Sequence, residues 1–174
     1  MAIQKLIPTI LLAILLSGCT ATSVSDSFDD SRNESLAMKR IKDAHPALKD
    51  SNISVTSFGG VVLITGQVPS AELIALATAE VEPLRNVRKV HNELQVAGKT
   101  SVLSRTNDSW LTTKVKSKLA TNEDTDADRI KVVTENGVVY LMGLLTRAEA
   151  DTAVDVTRQT QGVQKIVKVF EYIN

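Results

Sequence analysis

The sequence predicts an α+β protein made of two tandem αββαβ domains, each a three-stranded mixed sheet covered by two helices, behind a lipoprotein-type signal peptide. The main observation is an internal repeat, because residues 59–66 (GGVVLITG) and residues 136–143 (NGVVYLMG) match at an offset of 77 positions. The same offset places Ala71 on Ala148 and Glu72 on Glu149. Self-similarity of this kind indicates a duplicated structural unit of roughly 65 to 70 residues.

The beginning of the chain has the pattern of a bacterial export signal. After Lys5, residues 6–16 form an apolar run that is shorter than the about 20 residues a membrane span requires. The run ends in Leu16-Ser17-Gly18-Cys19, which resembles the lipobox, where cleavage occurs before a cysteine that carries a diacylglycerol on its sulfur. Since Cys19 is the only cysteine, we expect a signal peptide at residues 1–18 and lipidation at Cys19. The alternative is an ordinary secretory signal with an incidental cysteine.

The residues after Cys19 indicate an anchor at the outer membrane. Acyl chains on Cys19, palmitate among them, would hold the protein to a bilayer, since two or more chains anchor stably. Thr20 stands where an aspartate usually marks retention in the inner membrane, so its presence favours the outer membrane. Residues 19–30 are polar and without periodicity, and we expect an acylated tether there.

Residues 31–96 are predicted to form the first domain. Its elements are marked by helical spacing of apolar residues, by a hairpin pattern around Gly59-Gly60 and by helix-ending prolines. The predicted elements are a helix from Ser31 to before Pro46, strands at 53–58 and 61–65, a helix from Ser70 to Pro83, and a strand at 87–96. Residues 97–106 are polar and without periodicity, which predicts a linker.

Residues 107–174 are predicted to repeat this order in a second domain. N-cap oxygens, an Asn-Gly turn and capping-box spacing mark its elements. The predicted elements are a helix from Asn107-Asp108-Ser109 to about Ala120, a hairpin around Asn136-Gly137 with residues 130–133 in its first strand, a helix from Thr146 to Gly162, and a strand at 163–172. Both faces of the last strand are partly apolar, so its sheet is expected to pack against something besides its own helices.

The only tryptophan is predicted to point away from the core of its own domain. With about 100° per residue, Leu111, Val115 and Leu119 define a core stripe, and Trp110 lies about 140° from the centre of that stripe. Amphipathic indole beside lysines is typical of binding at an anionic bilayer surface. The candidate phospholipid-binding residues are Trp110, Leu111, Thr113, Lys114, Lys116, Ser117 and Lys118. The alternative is that Trp110 packs against the first domain as an interdomain contact.

Other classes of function have weaker support. The 20 acidic and 20 basic residues cancel, so the chain as a whole does not have the charge of a nucleic-acid-binding protein. The acidic segment 122–128, with Glu135 beyond it, has partial EF-hand spacing, but Arg129 stands where the sharp turn needs glycine. A solvated loop is the preferred interpretation, and we expect no metal and no cofactor. No nucleophile elbow or glycine-rich phosphate loop is present, so we do not expect an enzyme.

The αββαβ pattern with a central Asn-Gly-Val-Val-x-Leu-x-Gly hairpin and a Gly-Val start to the last strand resembles the BON domain. Two such domains behind a lipobox resemble the dual BON-domain outer-membrane lipoproteins. The most specific stretches are residues 107–119 (NDSWLTTKVKSKL), followed by residues 134–137 and 141–144. The first domain departs from the pattern, since Gly59 replaces the turn asparagine and no glycine precedes Val87.

The resemblance implies a non-enzymatic, monomeric protein, lipid-anchored at the periplasmic face of the outer membrane, that binds anionic phospholipid. It further implies a role in envelope integrity and collection at division sites. The lipid contact of such proteins is made by the first helix of the second BON domain, here residues 110–120. The alternative function is an envelope adaptor that docks a protein partner through the same helix or through sheet edges.

Overall fold

The computed structural model of the protein describes residues 22–98 and 101–173. Two α+β units follow one another, each with a mixed three-stranded sheet and two main helices on one face, as predicted. The predicted signal peptide (residues 1–18), Cys19 and Thr20 lie outside the described residues.

The first unit begins with α1 (Thr22–Ala44) and a short α2 (Pro46–Asp50), followed by β1 (Asn52–Phe58), β2 (Val61–Val68), α3 (Ala71–Val81) and β3 (Lys89–Val96). β1 and β2 form the predicted hairpin, and β3 pairs with β2 in parallel. The turn needs glycine, because Gly59 and Gly60 have φ values of +57° and +78°. Pro46 ends α1 as expected and also starts α2, where it occupies the first turn.

The second unit contains α4 (Val102–Thr121), a 3₁₀ turn at Ala127–Arg129, β4 (Ile130–Glu135), β5 (Val138–Leu145), α5 (Arg147–Arg158) and β6 (Lys165–Tyr172). Its pairing repeats that of the first unit, with β5 between antiparallel β4 and parallel β6. The capping box is formed as predicted, since Thr146 Oγ1 accepts from Glu149 N and Glu149 Oε2 accepts from Thr146 N.

Two helix starts differ from the sequence-based prediction. α1 begins at Thr22 rather than near Ser31, so most of the expected tether is helical. α4 begins at Val102 rather than at Asn107-Asp108-Ser109, so residues 102–106, the second half of the predicted linker, are helix. The reason in α4 is that Ser101 acts as the N-cap, with its hydroxyl accepting from Ser104 N at 3.1 Å.

The two sheets pack face to face, with the helices on the outside. Each unit has its own core between sheet and helices. A third apolar cluster lies between the sheets and consists of buried Val61, Leu63, Tyr140, Met142 and Val169, with Phe58, Val133, Val138 and Val167 packed around it. The last strand contributes to two cores, Ile166 and Phe170 to one and Val167 and Val169 to the other. The partner expected for its second face is therefore the first unit.

The interface between the sheets has an approximate twofold symmetry. Gln67 Nε2 donates to Glu135 Oε1 at 2.7 Å, and Phe58 and Leu144 line one small cavity. Phe58 is equivalent to Glu135 and Gln67 to Leu144 at the repeat offset of 77, so exchanging the two units exchanges these two pairs of neighbouring residues. The two hairpin turns consequently lie at opposite ends of the molecule.

Polar groups at the rim of this interface are paired across it. Arg88 forms an ion pair with Glu171 and donates from Nε to the carbonyl oxygen of Gly59 at 3.0 Å. Burial raises the pKa of Tyr140 to about 12, and the nearby carboxylates of Glu93 and Glu135 add to this effect. The Tyr140 phenol therefore stays neutral inside the interface at physiological pH.

Candidate functional site

The candidate site lies on the outward face of α4. Leu111, Val115 and Leu119 are buried in the core of the second unit, whereas Trp110 is 62% exposed. The helical spacing therefore predicted the direction of Trp110 correctly. The alternative, in which Trp110 is an interdomain contact, is wrong, because the interface uses the opposite face of the sheet.

Lys114 is stacked on the indole of Trp110. Its ammonium nitrogen lies 4.0 Å from the ring centroid, which is a cation–π geometry. The same nitrogen donates to the carbonyl oxygen of Gln161 at 3.1 Å, and Lys118 Nζ donates to that of Gln159 at 2.7 Å. Both carbonyls follow the C-terminus of α5, where the helix dipole favours cations. Two ammonium groups are thus held on one flank of Trp110.

The structure divides the remaining candidate residues between surface and core. Thr113 and Ser117 are exposed, and both lie within about 60° of Trp110 around the helix. Lys116 is exposed on the other flank, about 120° from Trp110, near Ala127 and Asp128. Leu111 does not belong to this surface, because its side chain is only 5% exposed and packs in the core.

Asp108 fixes the position of α4, a role that the sequence-based prediction missed. Its carboxylate accepts from the backbone N–H groups of Asn136 at 2.7 Å and Gly137 at 2.8 Å. It is therefore not an N-cap but a buried acceptor that ties the helix to the hairpin turn. Asp30 of α1 likewise accepts from Gly59 N and Gly60 N. The repeat of this aspartate ahead of each turn was the sequence signal that would have identified it.

Two depressions in the described surface differ in size and in lining. A depression of about 440 Å³ beside Trp110 is lined mainly by uncharged residues, including Ser104, Asn107 and Gln164, and contains one acid, the buried Asp108. A larger cleft of about 710 Å³ lies between the units. Its lining includes three acidic residues, Asp30, Glu34 and Asp128, but only two basic ones, Arg129 and Lys131. That balance does not suit an anionic ligand.

The acidic loop is organised by protein contacts. Asp126 caps the 3₁₀ turn, and Arg129 Nη1 lies 2.6 Å from Glu149 Oε1. Hydrogen bonds from Thr146 and then from Arg129 lower the pKa of Glu149. Glu135, the twelfth position of the partial EF-hand pattern, instead accepts from Gln67. Among residues 22–98 and 101–173, no cluster of three or more metal-ligating side chains occurs.

No helix in the described part of the chain combines the length and apolarity needed to cross a bilayer. Cys19, the candidate lipidation site, precedes those residues. On α4, the exposed Trp110 lies beside lysines, and this combination is typical of bilayer surfaces.

Comparison with known proteins adds a family. The BON domain family matches residues 29–98 and 107–174. Outer membrane lipoprotein DolP of Haemophilus influenzae is 39% identical over 72% of this chain, and the match spans 65% of that relative's own length. The 21 kDa hemolysin of Actinobacillus pleuropneumoniae is 37% identical over 83% of this chain and 74% of its own. Osmotically-inducible protein Y of Escherichia coli is 27% identical over 90% of this chain and 91% of its own.

Proposed function

The chain belongs to the BON-domain family, and we propose that it is an outer-membrane lipoprotein that binds anionic phospholipid through the outward face of α4. In this proposal Cys19 carries the lipid anchor at the periplasmic face, and the protein supports envelope integrity at division sites. The name of the Haemophilus influenzae relative supports the location and the anchor. The exposed Trp110 with Lys114 stacked on it is the observation that supports the lipid contact.

The proposed mechanism is insertion of the indole into the headgroup region, with the ammonium groups of Lys114 and Lys118 on one flank and of Lys116 on the other. Tryptophan is enriched at this depth because its ring is apolar and its N–H is polar. Each nearby lysine contributes about 1 kcal/mol of attraction to an anionic surface. A lipid anchor raises the local lipid concentration, so a weak intrinsic affinity of α4 suffices.

The proposal is tested by sedimentation of residues 19–174, carrying Cys19→Ser, with vesicles. We expect binding to equimolar phosphatidylcholine and phosphatidylserine and little binding to phosphatidylcholine alone. Trp110→Ala is expected to weaken binding about tenfold or more, since a large apolar side chain no longer leaves water. Replacing Lys114 with Gln is expected to weaken binding about fivefold, and added salt should reduce binding of the unaltered protein.

The matched control is Arg32→Ala, because Arg32 occupies in α1 the position that Trp110 occupies in α4, as Asp30 matches Asp108. Its removal should leave vesicle binding unchanged. Equal binding to neutral and anionic vesicles, or no loss in Trp110→Ala, would contradict the proposal. Membrane association in cells that persists at high salt and requires a second protein would instead favour the adaptor function.

A further inference from the structure

The first turn of α4 exposes two large apolar side chains. Val102 is 70% exposed and Leu103 is 71% exposed, both more than Trp110. They lie in the part of α4 that the sequence predicted to be linker, so the sequence alone did not place them on the helix that carries Trp110. Exposed apolar residues that are grouped on one surface, rather than scattered, indicate an interaction site.

Leu103 lies in line with Trp110 along the outside of α4. Seven residues separate the two, which is about 20° around the helix and about 10 Å along its axis. Val102 lies about 80° around the helix from Trp110, on the side opposite to Lys114 and Lys118. The outermost line of the helix therefore carries Leu103 and then Trp110, with cations on the flank.

This first turn is held in place rather than free to fold back. Ser101 caps the helix, and Ser104 Oγ donates to Asn136 Oδ1 of the hairpin turn at 2.8 Å. One turn further on, buried Asp108 binds the same turn. The apolar side chains of Val102 and Leu103 are thus presented at a fixed position relative to Trp110, which reduces the entropy lost on binding.

We propose that Leu103 and Val102 insert with Trp110 into an anionic bilayer, so that the contact extends over the whole N-terminal half of α4. This inference rests on the proposed lipid-binding function and adds residues that the family resemblance does not assign. Charge favours a bilayer, because α4 carries Arg105, Lys114, Lys116 and Lys118 and its single acid, Asp108, is buried. Three apolar residues are too few for the core of a stable protein interface, which buries about 1,200 Å² or more.

The first unit serves as an internal comparison. In α1 the position equivalent to Trp110, 78 residues earlier, is Arg32, which is exposed. A charged side chain therefore stands in α1 where α4 presents its indole. The exposed apolar ring is a feature of the second unit and not of the repeat in general.

The experiment uses residues 19–174 with Cys19→Ser, a chain without other cysteines, and vesicles of equimolar phosphatidylcholine and phosphatidylserine. We expect Leu103→Ser to weaken binding about tenfold. Phe28→Ser is the matched control, because Phe28 is 73% exposed but belongs to α1. This helix contacts the β1–β2 turn, which lies at the end of the molecule opposite to the β4–β5 turn beside α4. It should leave binding unchanged. In a second measurement, an environment-sensitive fluorophore on Leu103→Cys should shift to the blue on vesicle addition, and one on Phe28→Cys should not.

The outcomes separate this inference from the proposed function. If Trp110→Ala releases the protein from vesicles but Leu103→Ser does not, and the fluorophore at position 103 remains in water, the inference is overturned and the proposed function stands. If the unaltered protein binds the vesicles but neither variant weakens that binding, the inference and the proposed function are both overturned. The same holds if the unaltered protein does not bind the vesicles at all. Circular dichroism of each variant verifies the fold, which these exposed substitutions should leave intact.

Discussion

Removal of the Asp108 carboxylate is expected to destabilise the second unit strongly. Asp108 is 7% exposed and accepts two backbone N–H bonds, at 2.7 and 2.8 Å, from the β4–β5 turn. A hydrogen bond to a charged group contributes about 1.5 to 3 kcal/mol, and a donor left without a partner on burial costs about 1 to 3 kcal/mol. Asn136 and Gly137 are only half-buried, so water can hydrogen-bond to the N–H groups that lose the carboxylate. We therefore expect Asp108→Ala to lower the free energy of unfolding by about 3 kcal/mol.

Urea unfolding followed by far-ultraviolet circular dichroism measures this cost as a change in the free energy of unfolding. Asp108→Asn keeps one acceptor oxygen of the same shape, so it should cost about half as much as alanine. Asp30→Ala is the internal comparison, because Asp30 accepts the two equivalent backbone bonds and a third bond from Ser57 Oγ at 2.6 Å, but is only half-buried. Since water reaches this site more easily, its cost should be smaller despite the third bond. A loss below about 1 kcal/mol in Asp108→Ala would refute the role assigned to this carboxylate.

Two further predictions concern the interface between the sheets. Met142 is completely buried there, so Met142→Ala should lower the free energy of unfolding by about 2 to 5 kcal/mol in the same urea experiment; a change within error would contradict the packing of the sheets. Burial and then Lys89 lower the pKa of His91, although Glu93 and Glu171 act in the opposite direction. Because the unfolded chain takes up the proton first, stability should fall as pH drops from 7 to 5, and His91→Gln should make that fall smaller.

The sequence predicted those elements whose signals are local. Asn136-Gly137 and Gly59-Gly60 fix two hairpin turns through backbone conformation, and Thr146 with Glu149 forms a capping box within four residues. The direction of Trp110 also follows from helical geometry alone. These features depend on residues that are neighbours along the chain.

The missed features depend on contacts between distant residues. Asn107-Asp108-Ser109 has the composition of an N-cap, yet the helix continues through it because Asp108 is used by a turn 28 residues away. The first turn of α4 is stabilised by the bond from Ser104 to Asn136, which the local sequence does not reveal. Leu111 was assigned to the lipid contact together with its helix, but the same stepping that exposes Trp110 places Leu111 in the core.

The cluster between the sheets has a consequence for any attempt to separate the halves of the protein. If the chain were cut between β3 and α4, dissociation of the fragments would expose Val61 and Leu63 on one and Tyr140, Met142 and Val169 on the other. Apolar sheet faces of this kind self-associate in water. Limited proteolysis at that connection should therefore yield two fragments that co-elute on gel filtration, and neither half is expected to be a well-behaved monomer when produced alone.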